Sequence, residues 1–154
     1  MLTIESKLKE LGYELPLIPA SKGIYKRCVL AGGLLYVSGH VSINTDGSMI
    51  KGKVGADLSD EQGFVAARQC GLALLSTLKD HLGDLDKIKR VVKLLGMVNC
   101  PPDYTGHPVV INGCSELFAK VFGEEDGIGV RSAVGMGSLP GNVAVEIEAI
   151  FELK

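Results

Sequence analysis

Residues Gly129 to Glu152 read GVRSAVGMGSLPGNVAVEIEAIFE, and the way this stretch is taken decides the fold. From Val143 to Leu153 the odd positions Val143, Val145, Ile147, Ala149, Phe151 and Leu153 are apolar, while Glu146, Glu148 and Glu152 stand at even positions. That alternation predicts a strand with one buried face. Just before it, Leu139-Pro140-Gly141-Asn142 places Pro and Gly where a type II-like turn wants a preset φ and a positive φ, so the two runs read as a hairpin. On the first run Arg131 shares its parity with Ala133, Gly135 and Gly137. Such a face is too poor in bulk to build a core alone and leaves room for a ligand or another backbone. A two-residue hairpin loop would set Arg131 opposite Ile150 and Glu146 opposite Gly135, roughly 13 Å apart along the ladder. Glu148 is then an ordinary cross-strand partner for Arg131.

The rest of the chain supplies the elements around that hairpin. Residues 3 to 11 read as a short amphipathic helix stopped by Gly12, taken as a surface appendage, and ELPLIPASKG carries two prolines that suit an extended arm. Residues 1–24 together are expected to be an extension to a single domain spanning 1–154. Strand-like runs from Tyr25 to Leu30 and from Leu34 to Ser38 flank Ala31-Gly32-Gly33 as a second hairpin, and Leu34-Leu35-Tyr36-Val37 has the apolarity of a strand covered on both faces. Ser59-Asp60-Glu61-Gln62 is a capping box opening a long helix with the stripe Phe64, Ala67, Gly71, Leu74, Leu78 and Leu82, closed by Gly83. A strand from Ile88 to Val98 ends at Cys100-Pro101-Pro102, and Pro108 opens a second helix with the stripe Val110, Cys114, Leu117 and Val121. The order hairpin, helix, strand, helix, hairpin predicts an α+β layer with two main helices on one face of a mixed sheet.

Composition narrows the function. The 154 residues are 46% hydrophobic, enough for one core and few for two, and a formal charge of −2 offers no general footprint for a phosphate backbone. Cys28, Cys70, Cys100 and Cys114 show no CxxC spacing, and His40, His81 and His107 form no ligand pair, so no metal site is expected. The N-terminus lacks a continuous apolar signal core and no apolar run is long enough for a membrane span, which makes a reducing cytoplasmic setting the default.

Arg131-Ser132, Leu139-Pro140 and Val145-Glu146-Ile147-Glu148-Ala149, with Tyr25 before Ser38-Gly39 and Asn112 early in the second helix, resemble the RidA (YjgF) family, enamine and imine deaminases also labelled translation inhibitors or L-PSP endoribonucleases. The resemblance runs from about Tyr25 to Leu153. It implies a Bacillus chorismate mutase-like fold, a homotrimer with ligand clefts at subunit interfaces, and no cofactor. It also implies that Arg131 grips a substrate carboxylate, a task the guanidinium fork suits better than an ammonium. Glu146 would position the hydrolytic water. Tyr25, Ser38, Gly39 and Asn112 would complete the cleft, and Tyr104 would roof it. Ala133 stands where many members carry cysteine, and His40 where many carry glutamine. His40 and His107 are either acid-base groups or incidental. The implied reaction is hydrolysis of 2-aminoacrylate-type intermediates to 2-keto acids and ammonia. The rivals are a non-catalytic trimer that binds small carboxylates or regulates a partner, and an endoribonuclease.

Overall fold

The computed structural model describes residues 1–154. Five strands form one sheet: β1 (Cys28–Ala31), β2 (Leu34–Val41), β3 (Ile88–Asn99), β4 (Val130–Met136) and β5 (Val145–Leu153), in the order β1-β2-β5-β3-β4. The helices are α1 (Ile4–Glu10), α2 (Asp60–Leu82), α3 (His107–Phe122) and the single turn α4 (Glu124–Gly127). The fold is α+β with a mixed sheet, as expected, and both long helices pack on one of its faces.

The hairpin expected from 129 to 152 is absent. β4 pairs parallel with β3, and β5 pairs antiparallel with the other edge of β3, so the central strand lies between the two runs that were expected to touch. The turn itself forms: Gly141 has φ 61°, and the Asn142 N–H donates to Leu139 O at 3.0 Å. What decides the pairing is the crossover before it. A strand, a helix and a strand in succession make a parallel unit when the helix packs back over the sheet, and β3-α3-β4 is such a unit. After β4 the chain passes over the end of β3 to reach its far edge. There Lys53 Nζ donates to Gly137 O at 2.5 Å and to Asn99 Oδ1 at 2.9 Å, and the Asn99 amide holds Val143 O at 3.0 Å.

The small-residue face of β4 is not left vacant for another chain. It lies under α3, where a side chain on Gly135 would collide with His107 and Cys100. A side chain on Gly96 of the neighbouring strand would collide with Ile111. Small residues here admit the chain's own helix. The helices also meet closely: a Cβ at Gly113 would run into the Phe64 carbonyl on α2.

Capping and termination follow the sequence. Ser59 and Gln62 form both bonds of the capping box, and Gly83 closes α2 at φ 77°. The β1–β2 turn uses Gly32 and Gly33 at φ 59° and 78°, the left-handed pair a two-residue hairpin needs. Two expectations fail in this region. Tyr25 precedes β1 in a bend, and β2 is covered on one face only, with Leu35 and Val37 buried but Tyr36 45% exposed. The uncovered face continues across the sheet through Val29, Val130 and Val134.

The N-terminal helix is not an appendage. Ile4 and Leu8 are buried within the main hydrophobic core, and Tyr13 and Leu15 pack against it. The Ile4 N–H donates to Asp86 at 2.9 Å, while at the other end of the chain the Lys154 N–H donates to the Lys87 carbonyl at 2.9 Å. Amphipathic spacing identified the apolar stripe of α1 but not what covers it. Leu8→Ala is therefore expected to cost about 2 to 4 kcal/mol in urea unfolding, the range for a truncated core leucine, where an appendage would lose less than about 0.5 kcal/mol.

Candidate functional site

The register of β3 decides where the candidate residues point. Residues paired across a ladder share a face, so Arg131 lies in a row with Leu94 and Ala149, while Glu146 lies in a row with Met97 and Val134. Arg131 and Val134 differ by an odd number of positions. Arg131 therefore projects to the helix side of the sheet and Glu146 to the open side. Within the chain they are not brought together, and the roughly 13 Å separation expected from a hairpin does not apply. The same parity removes Glu148 as a partner for Arg131, and no ion pair joins them.

Arg131 is half-buried at the β4 edge over α3. Its guanidinium donates to Ser115 Oγ at 3.0 Å and to Pro108 O at 3.4 Å, two neutral acceptors that aim the fork without neutralising it. Most of its five N–H donors remain available. Asn112, Ser115, Glu116 and Ala119 line a groove with it, at the i, i+3, i+4 and i+7 spacing of one helix face. Ser115 escaped the sequence reading, although its position one turn after Asn112 was a usable signal. Besides the Glu116 carboxylate, this groove holds a cation with no ion pair and an amide, donors that a small carboxylate can use.

The second group sits around β2. Between Val37 and His40 the register with β5 slips by one residue, a β-bulge that displaces Ser38 and Gly39 from the regular ladder. The Glu146 carboxylate folds over Gly39 so closely that any Cβ there would collide with it. Burial raises the Glu146 carboxyl above its ordinary value, and the neighbouring Glu148 charge adds to the shift. Tyr25 and Gly39 line one pocket. Tyr25 is 55% exposed, and its hydroxyl meets no partner within the chain. Ser38 is nearby, but its hydroxyl is committed to Lys26 O at 2.6 Å.

Three further residues stand apart from both groups. Tyr104 packs over Gly55 and Gly106 and donates to Asp60 at 2.7 Å, so within the chain it roofs neither Arg131 nor Asn112. His40 is buried, with Nδ1 2.6 Å from Ser38 O and Nε2 2.6 Å from Thr77 Oγ1. Burial lowers its pKa, and both ring nitrogens are occupied in tying the bulge to α2. His107 stacks edge-on against Tyr104 and lies 3.6 Å from Cys100 Sγ. No three His, Cys, Asp or Glu side chains converge to hold a metal ion, and no helix is long and apolar enough to cross a membrane.

The Glu146 shift has a definite sign. A carboxyl whose folded pKa exceeds its unfolded value, here ordinarily 4.5, contributes stability that is full at lower pH and is lost as pH rises through the folded value. Glu146→Gln is thus expected to raise the melting temperature above wild type at pH 7.5, with the difference shrinking toward zero as pH falls past 4.5. Parallel thermal scans of the two proteins across pH would check this, and a variant less stable than wild type at pH 7.5 would contradict it.

Known proteins place this geometry in a wider set. The chain is 43% identical over 150 residues to Protein TCP17 of Trypanosoma cruzi, covering 97% of this chain and 94% of that one. The crystal structure of Atu1372 from Agrobacterium tumefaciens, a protein of unknown function, superposes with a TM-score of 0.90 at 42% identity, covering 99% of this chain and 94% of the other. A Shewanella oneidensis protein described as a "putative endoribonuclease" superposes at 0.93 with 30% identity, covering 99% and 100%. Such coverage includes α1, which accords with its place in the core. Residues 5–145 match the family model "YjgF/chorismate mutase-like, putative endoribonuclease", and the chain belongs to that family.

Proposed function

We propose that this protein hydrolyses enamine and imine intermediates of the 2-aminoacrylate type to 2-keto acids and ammonia, as a homotrimer with its clefts between subunits. The observation that carries this reading is Arg131: a half-buried guanidinium oriented by Ser115 and Pro108, with no carboxylate paired to it, in a groove it shares with Asn112. An imine is already electrophilic. Its hydrolysis needs a held carboxylate, a placed water and a proton source, all of which positioned side chains can supply.

The parity of the sheet adds a condition. Because Arg131 and Glu146 project to opposite faces, one subunit must supply Arg131 and Asn112 while its neighbour supplies Tyr25, Gly39 and Glu146. The uncovered face carrying Tyr36, Val130 and Val134 is the surface available for such an assembly. Glu146, with its raised pKa, is suited to hold a proton and return it, either orienting the water or protonating the enamine carbon. Tyr104 would reach the cleft only if its roof is built from the neighbouring copy.

The opposite-face placement also favours a second reading, a trimer that binds small carboxylates through Arg131 and regulates a partner without turning anything over. The ribonuclease description of the family gains no support from the groove. Both His40 nitrogens are engaged, and the chain's charge of −2 is unsuited to a phosphate backbone.

Arg131→Ala is expected to lower kcat/KM for enzymatically generated aminoacrylate by at least about 100-fold, and Arg131→Lys to recover little. Lysine working at the wild-type rate would remove the clamp. Mixing the two inactive variants Arg131→Ala and Glu146→Gln in refolded trimers is expected to restore about a quarter of wild-type activity, since a random assembly pairs an intact Arg131 with an intact Glu146 at that frequency. No restoration would place both groups in one subunit or dispense with one of them. Binding of keto acids through Arg131 without any acceleration of hydrolysis would favour the regulatory reading.

A further inference from the structure

Beneath the extended arm lies a pocket that Tyr25 and Gly39 share with the proposed cleft. Its floor is aliphatic, formed by Ile43, Met49 and Ala73, and the arm that walls it is fastened to α2 by the Ser76 hydroxyl donating to Pro16 O at 2.7 Å. Arg27 enters this pocket half-buried. It makes no side-chain hydrogen bond and no ion pair. Asp80 borders the shallow depressions on the outer side of Arg27 without approaching within the 4.0 Å of an ion pair. His40, deeper in the same pocket, has both nitrogens engaged and offers nothing to a ligand. Lys22 at the rim is the other cation, also without an ion pair. The Arg27 nitrogens keep access to water, and an anion that displaced this water above the apolar floor would form a strengthened, charge-assisted bond.

Resting on the deaminase reading, we propose that Arg27 receives a second carboxylate at the far end of the substrate's side chain. The α-carboxylate sits on Arg131 of one subunit, and the aliphatic spacer runs past Tyr25 and Gly39 of the next. The substrate class is then imines of amino dicarboxylic acids, larger than the aminoacrylate core chemistry requires. Water adds to the C=N carbon and ammonia leaves, giving a 2-keto dicarboxylate with no redox step. Arg27 does not touch the reacting atoms; it sets which side chain is accepted.

The test is a titration calorimetry comparison of 2-oxoglutarate with 2-oxobutanoate, which differ in the terminal carboxylate, on the wild type, Arg27→Gln, Arg27→Lys and Arg131→Gln proteins. Rates are measured in parallel on the imines that an amino-acid oxidase releases from glutamate and from 2-aminobutyrate. The wild type is expected to bind 2-oxoglutarate at least about tenfold more tightly, Arg27→Gln to lose that preference, Arg27→Lys to keep part of it, and Arg131→Gln to weaken both acids. Equal affinity for the two acids in the wild type, binding of neither, or a preference that survives Arg27→Gln would overturn the proposal. A preference that depends on Arg27 without faster hydrolysis of any imine would uphold the pocket and sink the deaminase reading. Hydrolysis of both imines at equal rates and with equal affinities would do the reverse.

Discussion

Everything in this molecule is registered against β3. It is the only strand with a parallel neighbour on one edge and an antiparallel neighbour on the other, β4 running with it and β5 against it. Because ladder partners share a face, the pairing of β3 assigns every β4 and β5 side chain to the helix layer or to the open side at once. A slip of one residue on the β5 edge would exchange the core set Val145, Ile147, Ala149 and Phe151 for Glu146, Glu148, Ile150 and Glu152. The hydrophobic cost of that exchange holds the register, and the register in turn holds Arg131 and Glu146 apart.

Local chemistry made much of the fold legible. The capping box at Ser59, the glycine stop at Gly83, the proline break after Asn99 and the Gly32-Gly33 turn each depend on a few neighbouring residues, and each is found where the residues dictate. Strand order does not work that way. Alternation shows that β5 has one buried face but says nothing about which strand lies beside it, and Leu139-Pro140-Gly141-Asn142 forms its turn whether or not the flanking strands meet. The stronger signal was the succession of strand, helix and strand from Ile88 to Met136, which requires parallel neighbours. The small side chains of β4 were ambiguous in the same manner: they announce a close approach without naming what approaches, and here it is α3.

The site divided along a similar line. Arg131 and Asn112 are found in one groove, and Tyr25 and Gly39 in one pocket beside the bulge that Glu146 covers, so within the chain the residues that spacing singled out fall into two groups. The bulge at Ser38-Gly39 has no signature in composition; it appears only when 37–40 is laid against 147–149. Ser38 and His40 spend their polar atoms inside the chain, on Lys26 O, Ser38 O and Thr77, which no count of polar residues could reveal. Arg27 went unnoticed for the converse reason. An arginine two residues after a tyrosine is ordinary until its surroundings show that nothing answers its charge.

The two ends of the chain meet on one turn, Ile4 bonded to Asp86 and Lys154 to the adjacent Lys87. Residues 4 and 154 are therefore held side by side at the 3₁₀ turn Leu85–Lys87. Where two segments are held so closely, the point at which the chain joins them is separable from the packing. A short linker between residues 154 and 1, with the chain reopened at the exposed Asp46-Gly47 tip, would preserve every strand pairing while changing which element leaves the ribosome first. The architecture constrains neighbours in space, and the order of synthesis is one of several threadings that satisfy it.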